Sequence, residues 1–110
     1  MKLADNILSS IKQVLKSAAP DASAILYGSQ ARGDARHDSD VDLLILIPDK
    51  YNGSEFVKRK LDISGRLYDL SLSLGIDISP LILVPKVFFA RETPFTRNVM
   101  KDGIALCNKN

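Results

Sequence analysis

Ser39-Asp40-Val41-Asp42-Leu43-Leu44-Ile45-Leu46-Ile47 is the stretch that decides the fold of this chain. Its five consecutive large aliphatic residues read as a strand that is apolar on both faces, which belongs at the centre of a sheet. Pro48 closes it. Two carboxylates, Asp40 and Asp42, open this otherwise apolar strand. Side chains at i and i+2 of a strand point to the same face. Both acids therefore project together near one end of the sheet, where they repel each other and resist burial. A divalent cation removes that cost, and Mg²⁺ is commonly held by one or two carboxylates together with substrate phosphates.

Working outward toward the N-terminus, residues 22–27 (Ala-Ser-Ala-Ile-Leu-Tyr) read as a strand that stops at Gly28-Ser29. Before it, Leu3, Ile7, Ile11, Val14 and Ala18 recur at helical spacing, so residues 3–18 form an amphipathic helix ended by Pro20-Asp21. Gly28 to Asp38 is small, polar and charged: a turn, with room for one short helical turn.

Toward the C-terminus, residues 55–74 read as the longest helix, with Phe56, Ile63, Leu67, Leu70 and Leu74 on one stripe. Ser54 is its expected N-cap and Gly75 its C-terminal glycine. Glu55–Arg59 and Lys58–Asp62 have the spacing of ion pairs on its outer face. Residues 76–84 read as a strand in which Pro80 marks an edge or a bulge. A short helix follows Pro85, a last helix runs from Thr93-Pro94 to Gly103, and residues 104–107 form a short strand. Helices alternating with strands favour an α/β layer architecture.

Composition bounds the function. The chain has 110 residues, 45% hydrophobic and 25% charged, which suits one soluble domain over 1–110. No apolar run approaches the roughly 20 residues of a membrane span, and the N-terminus lacks the pattern of a signal peptide. A single cysteine, Cys107, makes no internal disulfide and is expected as a buried apolar side chain, so a cytoplasmic location is expected. The net charge of +2 and the absence of Trp speak against a nucleic-acid-binding face.

The remaining site candidates surround the paired acids. Asp77 lies between Ile76 and Ile78 in another apolar strand. If that strand neighbours the Asp40 strand, three carboxylates approach the two-metal geometry of nucleotidyl transfer. Gly28-Ser29 offers close backbone approach, a hydroxyl and a helix N-terminus for anions. Arg32 and Arg36 follow in the same segment with forked donors for phosphates. Asp34 and Asp38 read as turn residues, His37 as a solvent-exposed loop residue, Lys58-Arg59-Lys60 as a solvated helix face, and Phe88, Phe89 and Phe95 as core. Neither a Gly-Lys-Ser/Thr loop nor a Gly-x-Gly-x-x-Gly fingerprint is present. An EF-hand starting at Asp38 fails, because Leu43 and Asp49 occupy its sixth and twelfth positions.

Taken together, Leu26-Tyr27-Gly28-Ser29, Asp40-Val41-Asp42-Leu43 and Ile76-Asp77-Ile78 resemble the polymerase-β-like nucleotidyltransferase superfamily. The fuller string from Gly28 to Leu44 is similar to its minimal branch. The resemblance implies a mixed sheet of about four strands flanked by helices. It implies Mg²⁺ on Asp40, Asp42 and Asp77, with Asp77 also the candidate base, and a nucleoside triphosphate, ATP, on Gly28 and Ser29. Many minimal members pair with a HEPN-type protein, and in some pairs the nucleotidyltransferase is an antitoxin that adenylylates a tyrosine of that partner. The competing readings are a binding module that neutralises a partner by complex formation, and transfer to a small molecule or an RNA end.

Overall fold

The computed structural model describes residues 5–33 and 40–107. Strand β2 (Val41–Leu46) carries the apolar run, and Leu43, Leu44 and Ile45 are wholly buried. Alternation sends these side chains to opposite faces, and each face has its own cover. On one face, Leu43 and Ile45 meet Ile11 and Leu15 of α1 (Asp5–Ala18) and Ile63 and Leu67 of α3 (Gly53–Leu74). On the other, Leu44 and Leu46 meet Phe88 of α4 (Pro85–Phe88) and Val99 of α5 (Pro94–Asp102).

The sheet is mixed and four-stranded, with spatial order β3-β2-β1-β4. Strand β1 (Ser23–Tyr27) runs antiparallel to both β2 and β4 (Ile104–Cys107). Strand β3 (Ile78–Leu83) runs parallel to β2, with α3 as the crossover that a parallel pair requires. Pro80 lies within β3, which is an edge strand, where a residue without an N–H is tolerated. The expected α/β (α+β) arrangement with a central β2 is thus the observed one.

Local details differ from the sequence reading in three places. Helix α3 begins at Gly53, with Asn52 rather than Ser54 at its N-cap. Arg59 does not pair along its own helix; it pairs with Asp21 and lies over the ring of Tyr51, 4.1 Å from its centroid. Asp62 pairs with Arg66 at 3.2 Å instead of with Lys58. Gly75 does end α3 in the left-handed conformation (φ 68°). The last helix starts as its sequence indicates: Thr93 caps it in a reciprocal box with Thr96, followed by Pro94. Among the described residues, no helix is long and apolar enough to cross a membrane.

Candidate active site

The topology brings three strand ends together. Strand β1 is antiparallel to β2, so its C-terminal end lies beside the start of β2; β3 is parallel to β2, so its start lies there too. Tyr27, the last residue of β1, is in register with Asp42, and Asp42 is in register with Ser79. Chain-distant residues therefore line one end of one sheet face.

Gly28 follows Tyr27 with φ 75° and ψ −157°, a backbone conformation that L side chains rarely adopt. This turn launches the short helix α2 (Ser29–Arg32), whose Ala31 and Arg32 N–H groups donate to the Gly28 carbonyl. The turn is also crowded. A Cβ on Gly28 would lie 2.6 Å from Oδ2 of Asp42. The glycine thus lets the turn and the Asp42 carboxylate share one small space.

Asp42 is half-buried. Burial pushes its carboxyl above the ordinary value of 3.8, and the negative charge of Asp40 pushes it the same way. Tyr27, also half-buried, is raised above 10.0, by burial first and by the charge of Asp42 second, so its hydroxyl keeps its proton at neutral pH. The Tyr27 ring meets Phe95 edge to face at 5.3 Å, giving the acids an aromatic wall on the α5 side. Of the three phenylalanines read as core, only Phe88 is buried; Phe89 and Phe95 are exposed.

Asp40 precedes β2 and is exposed. Its Oδ2 accepts a hydrogen bond from Ser79 Oγ at 3.3 Å. Ser79 was not among the residues picked out from sequence. Its signal was there: in Asp77-Ile78-Ser79 the serine sits two positions beyond the acid and so shares its face.

Asp77 lies just ahead of β3. Its carbonyl oxygen accepts from the Val41 N–H at 2.8 Å, which locks it beside the Asp40 end of β2, and its side chain is exposed. Among the described residues, no three His, Cys, Asp or Glu side chains converge closely enough to hold a metal ion. The expected cluster of three carboxylates is therefore not assembled. What the fold brings together is the Asp40–Asp42 pair, with Ser79 on one side and Gly28 on the other.

That pair suits a divalent cation on the chemistry of its donors. Two hard oxygen ligands share a strand face, and a bound cation would offset both the burial and the Asp40 charge that raise Asp42. Arg32 closes α2 with an exposed side chain. Arg36 lies outside the described residues, as do Asp34, His37 and Asp38. Cys107 is half-buried on β4 rather than fully buried. A groove of about 700 Å³, lined in part by Ser23, Leu46, Pro48 and Lys50, opens at the other end of the sheet, away from the acids.

Comparisons with known proteins bear on the family and the fold. A family model described as a nucleotidyltransferase domain matches residues 8–106. A curated protein of Methanocaldococcus jannaschii, described as a candidate protein adenylyltransferase, is 37% identical over 91 residues. The match takes in 77% of this chain, which spans 58% of that relative's length. Among solved structures, a toxin–antitoxin complex crystallised with AMP-PNP superposes with a TM-score of 0.63 at 18% identity, over 94% of this chain and 74% of that one. A structure described as a candidate minimal nucleotidyltransferase gives a TM-score of 0.56 at 22% identity, over 91% of this chain and 92% of that one. At these identities the structural match speaks for the fold.

Proposed function

The chain belongs to the nucleotidyltransferase domain family, and on that premise we propose that it transfers a nucleoside monophosphate, AMP from ATP, to a hydroxyl group in a Mg²⁺-dependent reaction. The acceptor hydroxyl is a tyrosine of a HEPN-type toxin partner, and the chain acts as the antitoxin. The observation that carries the enzymatic reading is the contact between Gly28 and Asp42. It sets a helix-opening turn suited to phosphates against a carboxylate pair suited to a cation, the two sides a triphosphate needs.

In this reading Asp40 and Asp42 hold Mg²⁺, and Asp77, exposed beside them, is the candidate base. The cation, when bound, neutralises phosphate charge and polarises the reacting phosphoryl group. Gly28 and Ser29 bind the phosphates, with Arg32 and Arg36 as added cationic donors. The acceptor oxygen bonds to the α-phosphorus as the bond from that phosphorus to the β-bridging oxygen breaks. Pyrophosphate leaves, and the hydroxyl proton passes to the base. Positioning and charge neutralisation supply most of the rate.

Two comparisons support the partner. The M. jannaschii relative is described as acting on protein. A fold neighbour was crystallised as a toxin–antitoxin complex. The open site agrees, since Asp40 and Asp77 face solvent where a protein side chain can reach them.

The test is a transfer assay with α-labelled ATP, Mg²⁺ and the product of the neighbouring gene, followed by intact mass. The expected result is one or more AMP units on the partner, lost in Asp40→Asn. Mg-ATP binding without label on the partner would reject the acceptor but keep the enzyme. No Mg-ATP binding by calorimetry would reject the enzyme and leave a binding module.

A further inference from the structure

Helix α3 has two apolar faces, and the fold uses one. Ile63 and Leu67 face the core. Val57, Leu61, Tyr68 and Leu72 are 50%, 66%, 63% and 65% exposed. At about 100° per residue, these four fall within a stripe about 60° wide, well away from the buried pair. A soluble helix ordinarily keeps one such stripe and makes the other side polar.

The stripe is symmetric in its positions. Val57 and Leu72 are equidistant from the midpoint between Ser64 and Gly65, and so are Leu61 and Tyr68. Gly65 lies at that midpoint, is exposed, and has no part of the rest of the fold within 4 Å of where its Cβ would be. A glycine inside a helix costs stability relative to alanine. The open space there lets a second helix cross closely.

We propose that this face pairs with the same face of a second copy of the chain, the two α3 helices crossing antiparallel at Ser64 and Gly65. The two-fold symmetry sets Leu61 against Tyr68 of the other copy and Val57 against its Leu72. An isologous contact requires that kind of self-match. The charges select the same arrangement. Lys58 and Asp69 are exposed on one flank of the stripe, and Lys60 is on the other. In the antiparallel pair each flank faces its own counterpart, so Lys58 lies near Asp69 of the other copy. A parallel pair would set Lys58 against Lys60 of the other copy, a like-charge contact. The pairing is independent of the transfer reaction, because the stripe lies on the sheet's α1–α3 side while the acids open on the other face.

The experiment is sedimentation of the full chain across a concentration series, with circular dichroism as the check on folding. The parent is expected to pass from 12.1 kDa to about twice that mass. Leu61→Asp and Gly65→Arg should each remain folded and stay at the monomer mass. Lys58→Glu should weaken the pair several-fold, and Lys58→Glu with Asp69→Lys should restore it. A chain that stays monomeric at high micromolar concentration overturns the proposal. So does a dimer untouched by Leu61→Asp and Gly65→Arg, or a stripe that engages only a different protein.

Discussion

Gly28 and Asp42 occupy one space: a methyl group on the glycine would stand 2.6 Å from the carboxylate oxygen. Gly28 also holds a positive φ of 75°, so a side chain there is penalised twice. Gly28→Ala should cost about 1–3 kcal/mol of stability from the backbone alone. Transfer should fall by more than about tenfold, because Asp42 must move. Thermal unfolding and single-turnover transfer on the same preparation check the pair of effects.

The two acids should separate activity from stability. Asp40→Asn and Asp42→Asn are each expected to lower transfer by about 10²- to 10³-fold. Asp42→Asn should leave the metal-free fold at least as stable as the parent, since burial and Asp40 both disfavour the ionised carboxylate it replaces. Urea unfolding without Mg²⁺ and an activity titration with Mg²⁺ provide the two readouts.

Ser79 is expected to orient Asp40 rather than to react. Its hydroxyl donates to Asp40 at 3.3 Å in an exposed position, so the bond is worth little in stability. Ser79→Ala should lower transfer by roughly two- to tenfold with an unchanged melting temperature. The loss should appear as a raised Mg²⁺ requirement, measured by varying the metal at saturating ATP.

Asp21 should govern part of the acid sensitivity. Burial pushes its carboxyl up, but the hydrogen bond and charge of Arg59, with help from Tyr51, outweigh this and hold it below 3.8. A lowered carboxyl adds stability that is present above 3.8 and is lost as pH falls through the lowered value. Asp21→Asn should therefore cost about 1 kcal/mol at pH 7, the bridge being partly exposed. That difference should shrink in acid, which urea titrations at neutral pH and below 3.8 can compare.

The fold was legible where one residue type dominated its context. The Leu43–Ile47 run required a strand covered on both faces, and β2 is that strand. Pro80 limited its strand to an edge or a bulge, because its ring lacks the N–H a central strand must donate, and β3 is the edge strand. The Thr93-Pro94 pair marked a helix start because capping is chemistry between neighbours.

What the sequence hid was tertiary. Arg59 looked available to Glu55 four residues back, yet it reaches Asp21, 38 positions away, because α3 packs against the turn after α1. Strand alternation already put Ser79 on the face of Asp77, but only the register sets it beside Asp42. Asp40 and Asp42 could be paired from strand alternation alone. The distance of Asp77 from them depends on where β3 begins, which is the kind of boundary a sequence marks least well.

Asp42 rides on the best-buried strand of the molecule, and this has a consequence for how the site breathes. Amides on β2 between Val41 and Leu46 are flanked by strands on both sides and covered by helices on both faces. Their exchange with solvent deuterium should need global opening rather than local fraying. The backbone that carries Asp42 should thus have no loosened state short of unfolding. On the proposed function, adaptation to different nucleotides or acceptors should therefore come from the turn at Gly28 and from the exposed start of β3.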